Sequence, residues 1–167
     1  MLGGLIAQYP FGVYAIIFTI IFIETGLVIM PFLPGDSLLF AAGSFAALGV
    51  IDINVLLPLL IIAAIAGDTA NYWIGREGGT RILKHRHLSR FINDHHLAKA
   101  QAFYEKHAFL SIILARFMPI VRTFAPFVAG MTKMDYRKFM IYNAIGGMIW
   151  VTLFLWIGFL FVNLAII

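Results

Sequence analysis

Cysteine is absent from the chain, which excludes a disulfide framework and any thiolate metal site and leaves the redox compartment unspecified. Charge is scarce at 12% of 167 residues, against 62% apolar residues and a mean hydropathy of +0.94, which places the chain outside the composition of soluble domains. No Ser/Gly/Pro-rich linker or low-complexity run divides it, so residues 1–167 are read as one domain. Lysine and arginine are missing altogether before Arg76. That removes the basic n-region of a signal peptide, and Phe11–Met30 is read as a retained span.

What is there is an all-α integral membrane pattern. Long apolar segments run over about Tyr9–Met30, Pro31–Ile51, Val55–Ile74 and Phe139 to the end, with a further candidate, "FLSIILARFMPIVRTFAPFVAGM", at Phe109–Met131. Seven of the twelve basic residues fall between Arg76 and Lys106, and three more are Lys133, Arg137 and Lys138. The positive-inside rule puts both groups on the cytoplasmic face. Between apolar spans, such basic segments suit anionic headgroups, not nucleic acid.

The Phe109–Met131 segment contains Arg116, Pro119, Arg122 and Pro126. About twelve large apolar residues favour insertion by roughly 4–7 kcal/mol, and two central arginines take back roughly 5–7 kcal/mol. A full crossing would also separate the two basic groups across the membrane. A re-entrant hairpin over about 109–131, broken at the prolines and returning to the cytoplasm, satisfies both constraints. Pro31–Ile51 reads as its partner. Each has an ionisable residue, a proline and a second ionisable residue, then "FAAG" at Phe40–Gly43 or "FVAG" at Phe127–Gly130. Pro31 to Gly43 is twelve residues and Pro119 to Gly130 eleven. The expectation is multipass helices with two opposed, broken-helix hairpins related as an inverted repeat. The order is a cytoplasmic N-terminus, a first full span, an outer hairpin, an inward span, a cytoplasmic amphipathic segment over about 76–106, an inner hairpin and a last outward span.

An acid at membrane depth must be neutralised, face a cavity or pair. Glu24 and Asp36 are the acids of the opening stretch "ETGLVIMPFLPGD", and Arg116 and Arg122 are the bases at matching depth. Two acids and two bases balance to zero. The bland reading is a static ion-pair network with Asp36 as a helix cap; the functional reading makes the acids proton carriers and the arginines an anion grip, since guanidinium recognises phosphate bidentately. Asp68, in "GDTANYWIGREGG", is read as architectural, a cap or salt bridge near the interface, with Asn71, Tyr72 and Trp73 in an interfacial belt. Asn143, Gly146, Gly147 and Trp150 read as helix packing. "HRH" at His85–His87 and "DHH" at Asp94–His96 invite a metal reading, which the surrounding cations oppose; headgroup contact or pH sensing fits better. No metal and no cofactor is expected. Nor is an enzyme: no nucleophile elbow, no His-Glu metal motif and no intramembrane His or Cys is present.

The residues Glu24, Pro31 and Pro34-Gly35-Asp36, then "GDTANYWIGR", "ARFMPIVRTFAPFVAGM" and "DYRKFMIYNAIGGMIW", resemble in order the DedA family of bacterial membrane proteins, also called the VTT or SNARE-associated Golgi protein family. The resemblance covers about residues 10–160. It implies two opposed re-entrant hairpins in a multipass protein of the cytoplasmic membrane and a role in moving lipids. Bacterial members are linked to recycling of undecaprenyl phosphate and depend on proton motive force, and eukaryotic relatives resemble phospholipid scramblases. The family's important acids and arginines fall on Glu24, Asp36, Arg116 and Arg122. Pro31, Pro34, Gly35, Pro119, Asn143 and Asp68 stand as supporting residues. Family members commonly continue past the position of Phe161 with a further helix and a basic tail, whereas this chain stops at Ile167.

The function expected is thus a lipid-phosphate flippase. Arg116 and Arg122 bind the phosphate of undecaprenyl phosphate or a related lipid, and Glu24 and Asp36 couple to protons. The rival is a proton-coupled exporter or antiporter of small cations or drugs. Expected partners are anionic polyprenyl or glycerophospholipid phosphates and protons; a homo-oligomer is compatible with the sequence and not specified by it.

Overall fold

The structure is a computed structural model and describes residues 10–27, 35–83, 102, 106–107 and 109–166. Pro31, Pro34, the histidine motifs at 85–87 and 94–96, and most of the expected amphipathic segment lie outside the described residues. The described regular structure is helical: α1 (Pro10–Gly26), α2 (Gly35–Ala47), α3 (Ile53–Leu83), α4 (Pro119–Met131) and α5 (Tyr136–Ile166). Residues 109–115 form a further helical stretch ahead of α4. No strand occurs among the described residues.

α3 and α5 are each 31 residues, about 46 Å at 1.5 Å per residue, and apolar enough to cross a bilayer. α3 absorbs Pro58 in its second turn and continues through Arg76, where the sequence reading places a surface segment. α2 and α4 are 13 residues each, about 20 Å, so neither reaches across a hydrocarbon core of about 30 Å. α4 begins where the sequence expects: Pro119 occupies the first turn, preceded by tight turns in which the amides of Arg116, Phe117 and Met118 each donate to the carbonyl three residues back.

Contacts give each helix a direction. The Asp52 amide, just before α3, donates to Tyr14 Oη at 2.9 Å, while Thr25 and Gly26 at the end of α1 lie against Gly67 in the middle of α3. α1 therefore runs with α3. This corrects the sequence reading, in which Tyr9–Met30 crosses in full and opposite to α3. The run is long enough to span, but the helix ends at Gly26, and Glu24 needs its partner at mid-height. α2 begins at the level where α1 ends, its Gly35 amide against Glu24. α2 runs alongside α5, with Asp36 beside Trp150 and Ser44 donating to the Gly158 carbonyl at 3.2 Å. Stretch 109–115 follows the first half of α5, with the Phe109 ring 5.6 Å from that of Tyr142, and α4 follows the second half of α3, where Phe127 meets Gly75 and Met131 meets Gly79.

The short helices seat on the long ones by one contact made twice. Gly43 of α2 lies under the Leu155 carbonyl and Gly158 of α5 under the Phe40 carbonyl; Gly130 of α4 lies under the Tyr72 carbonyl and Gly75 of α3 under the Phe127 carbonyl. A Cβ at any of the four would overlap backbone, so only glycine permits the approach. The main core gathers Ile17 and Ile21 of α1, Leu39 of α2, Leu56 and Leu60 of α3, and Trp150 and Leu155 of α5. A smaller one, around Tyr72 and Phe139, forms at the other end. Outward, Ile62, Leu153, Ile149 and Phe161 stand exposed, an apolar exterior suited to lipid.

Candidate functional site

The end of α1 at Gly26, the start of α2 at Gly35 and the turn at 116–118 come level with the middle of the long helices, and the buried charges collect there. Glu24 comes from the last turn of α1, Asp36 from the first turn of α2 and Arg122 from the first turn of α4. The Arg122 guanidinium donates from Nη2 to Glu24 Oε1 and from Nη1 to Asp36 Oδ1, the latter at 2.9 Å. One arginine thus holds carboxylates from the end of α1 and the start of α2. The Gly35 amide also donates to Glu24 Oε1 at 3.1 Å, and a Cβ on Gly35 would collide with the same carboxylate. The glycine of "PGD" is there to let the start of α2 close on Glu24.

Trp150 of α5 completes this group. Its ring lies 4.6 Å from the Arg122 guanidinium carbon, and Nε1–H donates to Asp36 Oδ1 at 2.9 Å. Glu24, Arg122 and Trp150 are buried, whereas the Asp36 side chain is 35% exposed. Asp36 is the exposed acid of this cluster.

Arg116 is placed elsewhere. From the turn before Pro119 its Nη2 donates to Asp68 Oδ2, to Asn143 Oδ1 and, at 3.3 Å, to the Asn143 carbonyl. Gly146 and Gly147 of α5 make the slot for its side chain, since a Cβ on Gly146 would stand 3.0 Å from Arg116 Cδ and Nε. Asn143 is fixed in turn by donating to the Ile65 carbonyl at 3.2 Å. This corrects three readings. Asp68 is buried at mid-height as the counter-ion of Arg116, not placed at an interface; Asn143 and the glycine pair hold a charged side chain besides packing helices; and the site has three acids and two bases in two adjoining clusters, all buried except the partly exposed Asp36. Of the four expected residues, three meet. Arg116 stands in the neighbouring cluster, close enough for Arg122 and Asp68 to interact electrostatically.

Asn71 of α3 ties the end of α1 to the start of α4. Fully buried, it donates to the Thr25 carbonyl at 3.3 Å and to the Thr123 carbonyl at 2.7 Å, the residues next to Glu24 and Arg122. The interfacial-belt reading was wrong for Asn71, although Trp73 is exposed as a belt residue should be. Its place one helical turn after Asp68 was the available signal. Glu24 Oε2, Asp68 Oδ1, Asn71 Oδ1, Arg116 Nε and Nη1 and Arg122 Nε are buried with no hydrogen-bond partner. Polar capacity is left over where the site is driest. Among the described residues no cluster of three or more His, Cys, Asp or Glu side chains is arranged to hold a metal ion.

Fold and site define a helical membrane protein with a charged centre buried at mid-height of its long helices. The chain belongs to the DedA family: the VTT domain model matches residues 33–160. It is 54% identical over 162 residues to "Protein DedA" of Escherichia coli K12, covering 96% of this chain and 74% of that protein. It is 46% identical over 131 residues to "Uncharacterized membrane protein ML0287" of Mycobacterium leprae, covering 78% and 58% of the two chains. It is 36% identical over 141 residues to "Inner membrane protein YghB" of Escherichia coli K12, covering 84% and 64%. No solved structure matches it significantly.

Proposed function

We propose that this chain is a multi-pass protein of the cytoplasmic membrane that moves an anionic lipid phosphate, undecaprenyl phosphate or a related lipid, between leaflets with proton coupling. In this reading α1–α2 and 109–131 are re-entrant hairpins entering from opposite faces as an inverted repeat. The 13-residue second legs, the opposed directions and the duplicated glycine contact support that architecture. The name of the relative YghB, an inner membrane protein, agrees with the location.

The observation that carries the reading is Arg122, whose guanidinium, a group suited to bidentate phosphate binding, is held between the carboxylates of Glu24 and Asp36, the latter partly exposed. A proton taken by Asp36 removes one of the two charges fixing the guanidinium, which frees an edge of it for a phosphate oxygen. The phosphate then takes the carboxylate's place, so the buried charge changes little as the headgroup enters. Loss of the proton on the other side restores the ion pair and expels the anion. The hydrocarbon tail stays in lipid throughout.

A second reading rests on the excess acid. Three carboxylates against two guanidiniums attract a cation, as a proton-coupled exporter of small cations or drugs would require. The two part on Arg122→Lys: a phosphate grip loses its fork and most of its activity, whereas a cation site only has its charge balance preserved. The primary test is flipping of labelled undecaprenyl phosphate in reconstituted vesicles, with and without a proton gradient, for wild type, Glu24→Gln and Arg122→Ala. Flipping unchanged in both variants defeats the proposed site.

A further inference from the structure

A groove outside the charged centre has the dimensions of a lipid chain. It follows the crevice between α3 and α5, some 460 Å³ in volume, lined by Ile62, Ile65, Thr69 and Trp73 of α3 and Met140 of α5. Thr69 is its polar residue, and its hydroxyl is already spent on the Ile65 carbonyl at 2.7 Å, so the groove wall is apolar along its length. From Ile62 to Trp73 is eleven residues of helix, about 17 Å, close to the roughly 15 Å of one leaflet's hydrocarbon. It opens on the membrane side, since Ile62 and Trp73 are exposed.

The groove is finished at one end by a fixed cation. Arg76 lies with its guanidinium carbon 5.5 Å from the Trp73 ring centroid and 5.9 Å from that of Tyr72, and its Nη1 donates to Tyr72 Oη at 2.7 Å. Tyr72 Oη in turn donates to the Met134 carbonyl, so the rim is held in place by the turn before α5. Among the described side chains, Lys133, Arg137 and Lys138 stand exposed at this same end, with Glu77 and Asp135 as acids. An exposed Trp with a guanidinium on its face and an apolar channel about 17 Å long beside it are the parts that a chain with an anionic head would need.

We propose that the α3–α5 groove binds one hydrocarbon chain of an anionic phospholipid from the leaflet on the basic side, with its phosphate at Arg76. That this lipid is the one about to be moved rests on the transport reading above; that the groove holds it does not. The floor of the groove suits either role: the Ile65 carbonyl, in its wall, is the acceptor that fixes Asn143, the partner of Arg116. A seated chain therefore lies one helix wall from the charged centre.

Trp73 is its own reporter. Trp150 is fully buried, and replacing the exposed Trp156 by Phe leaves Trp73 as the lipid-accessible indole. The Trp156→Phe protein is reconstituted in phosphatidylcholine vesicles containing an equal mole fraction of either chain-brominated phosphatidylglycerol or chain-brominated phosphatidylcholine. Quenching is expected to favour the anionic lipid roughly fivefold, the effect of one basic residue at the surface. Arg76→Gln should bring the ratio to one. Ala70 is a small residue that also lines the groove, and Ala70→Phe, which fills it, should weaken quenching by both lipids. Equal quenching by the two lipids in the parent, or a preference that survives Arg76→Gln, overturns the proposal. So does an absence of quenching by either lipid, the mark of a second copy covering Trp73. If Arg76→Gln does not fold, Ala70→Phe alone decides: undiminished quenching overturns the proposal. Preferential quenching in a protein that flips nothing upholds the groove and removes the transport reading instead.

Discussion

Removing Arg116 alone should damage the protein more than removing Arg116 and Asp68 together. Both side chains are at most 3% exposed and ion-paired. Asp68 Oδ1 already lacks a partner, and Oδ2 receives its hydrogen bond from Arg116. In Arg116→Met the carboxylate is left with neither counter-ion nor donor in a dry interior, a cost of about 3–5 kcal/mol. Asp68→Leu strands the guanidinium less completely, because Asn143 still offers its side-chain and backbone oxygens; about 2–4 kcal/mol is expected by the same reasoning. The double variant Arg116→Met with Asp68→Leu replaces the pair by apolar groups of similar bulk and should return to within about 1 kcal/mol of wild type. Equilibrium unfolding in detergent, followed by tryptophan fluorescence, closes the cycle with a coupling of at least about 3 kcal/mol. A double variant that loses the sum of the single losses refutes the assignment of Asp68 as the counter-ion. Flipping then separates structure from function: the stable double variant should be inactive if Arg116 serves transport, and active if the pair only braces the bundle.

Gly43→Ala and Gly130→Ala each push a methyl into a carbonyl of the long helix, so each should lower stability by about 1–3 kcal/mol in a detergent melt, and an unchanged melt would deny the close seating. Asn71→Leu takes the donor from the Thr25 and Thr123 carbonyls and should cost about 1–3 kcal/mol in the same assay, with faster hydrogen exchange around both residues; unchanged exchange there would mean Asn71 does not tie them. Trp150→Phe keeps an aromatic face for Arg122 but loses the hydrogen bond to Asp36, about 1.5–3 kcal/mol, and Trp150→Leu should lose about 0.5–2 kcal/mol more. Equal melts for Phe and Leu would remove the cation–π contact from the account.

The long helices, the break ahead of Pro119 and the four ionisable residues Glu24, Asp36, Arg116 and Arg122 were legible because each violates or satisfies a one-dimensional rule: length, proline geometry, charge in an apolar run. The twin "FAAG" and "FVAG" stretches were legible as a likeness, and the structure gives the likeness a physical content in the two glycine contacts. The pairing was not legible. Whether Arg116 meets Glu24 or Asp68 depends on which helix faces which, and no local pattern records that. Asn71 and Trp150 were hidden for the same reason, since a polar residue near an end of an apolar run fits a belt and a Trp fits packing until neighbours are known. The direction of α1 was hidden because the rule that orients spans reads basic residues, and none precedes Arg76.

The four glycine contacts that seat the short helices set main chain against main chain, with side chains such as Leu39 and Phe40 packed beside them. A carbonyl fixed in a helix cannot swing aside as a side chain does, so a misfit at these points has no local relief. Each short helix is therefore keyed to its long neighbour at one height, and the ends that carry Asp36 and Arg122 inherit that height.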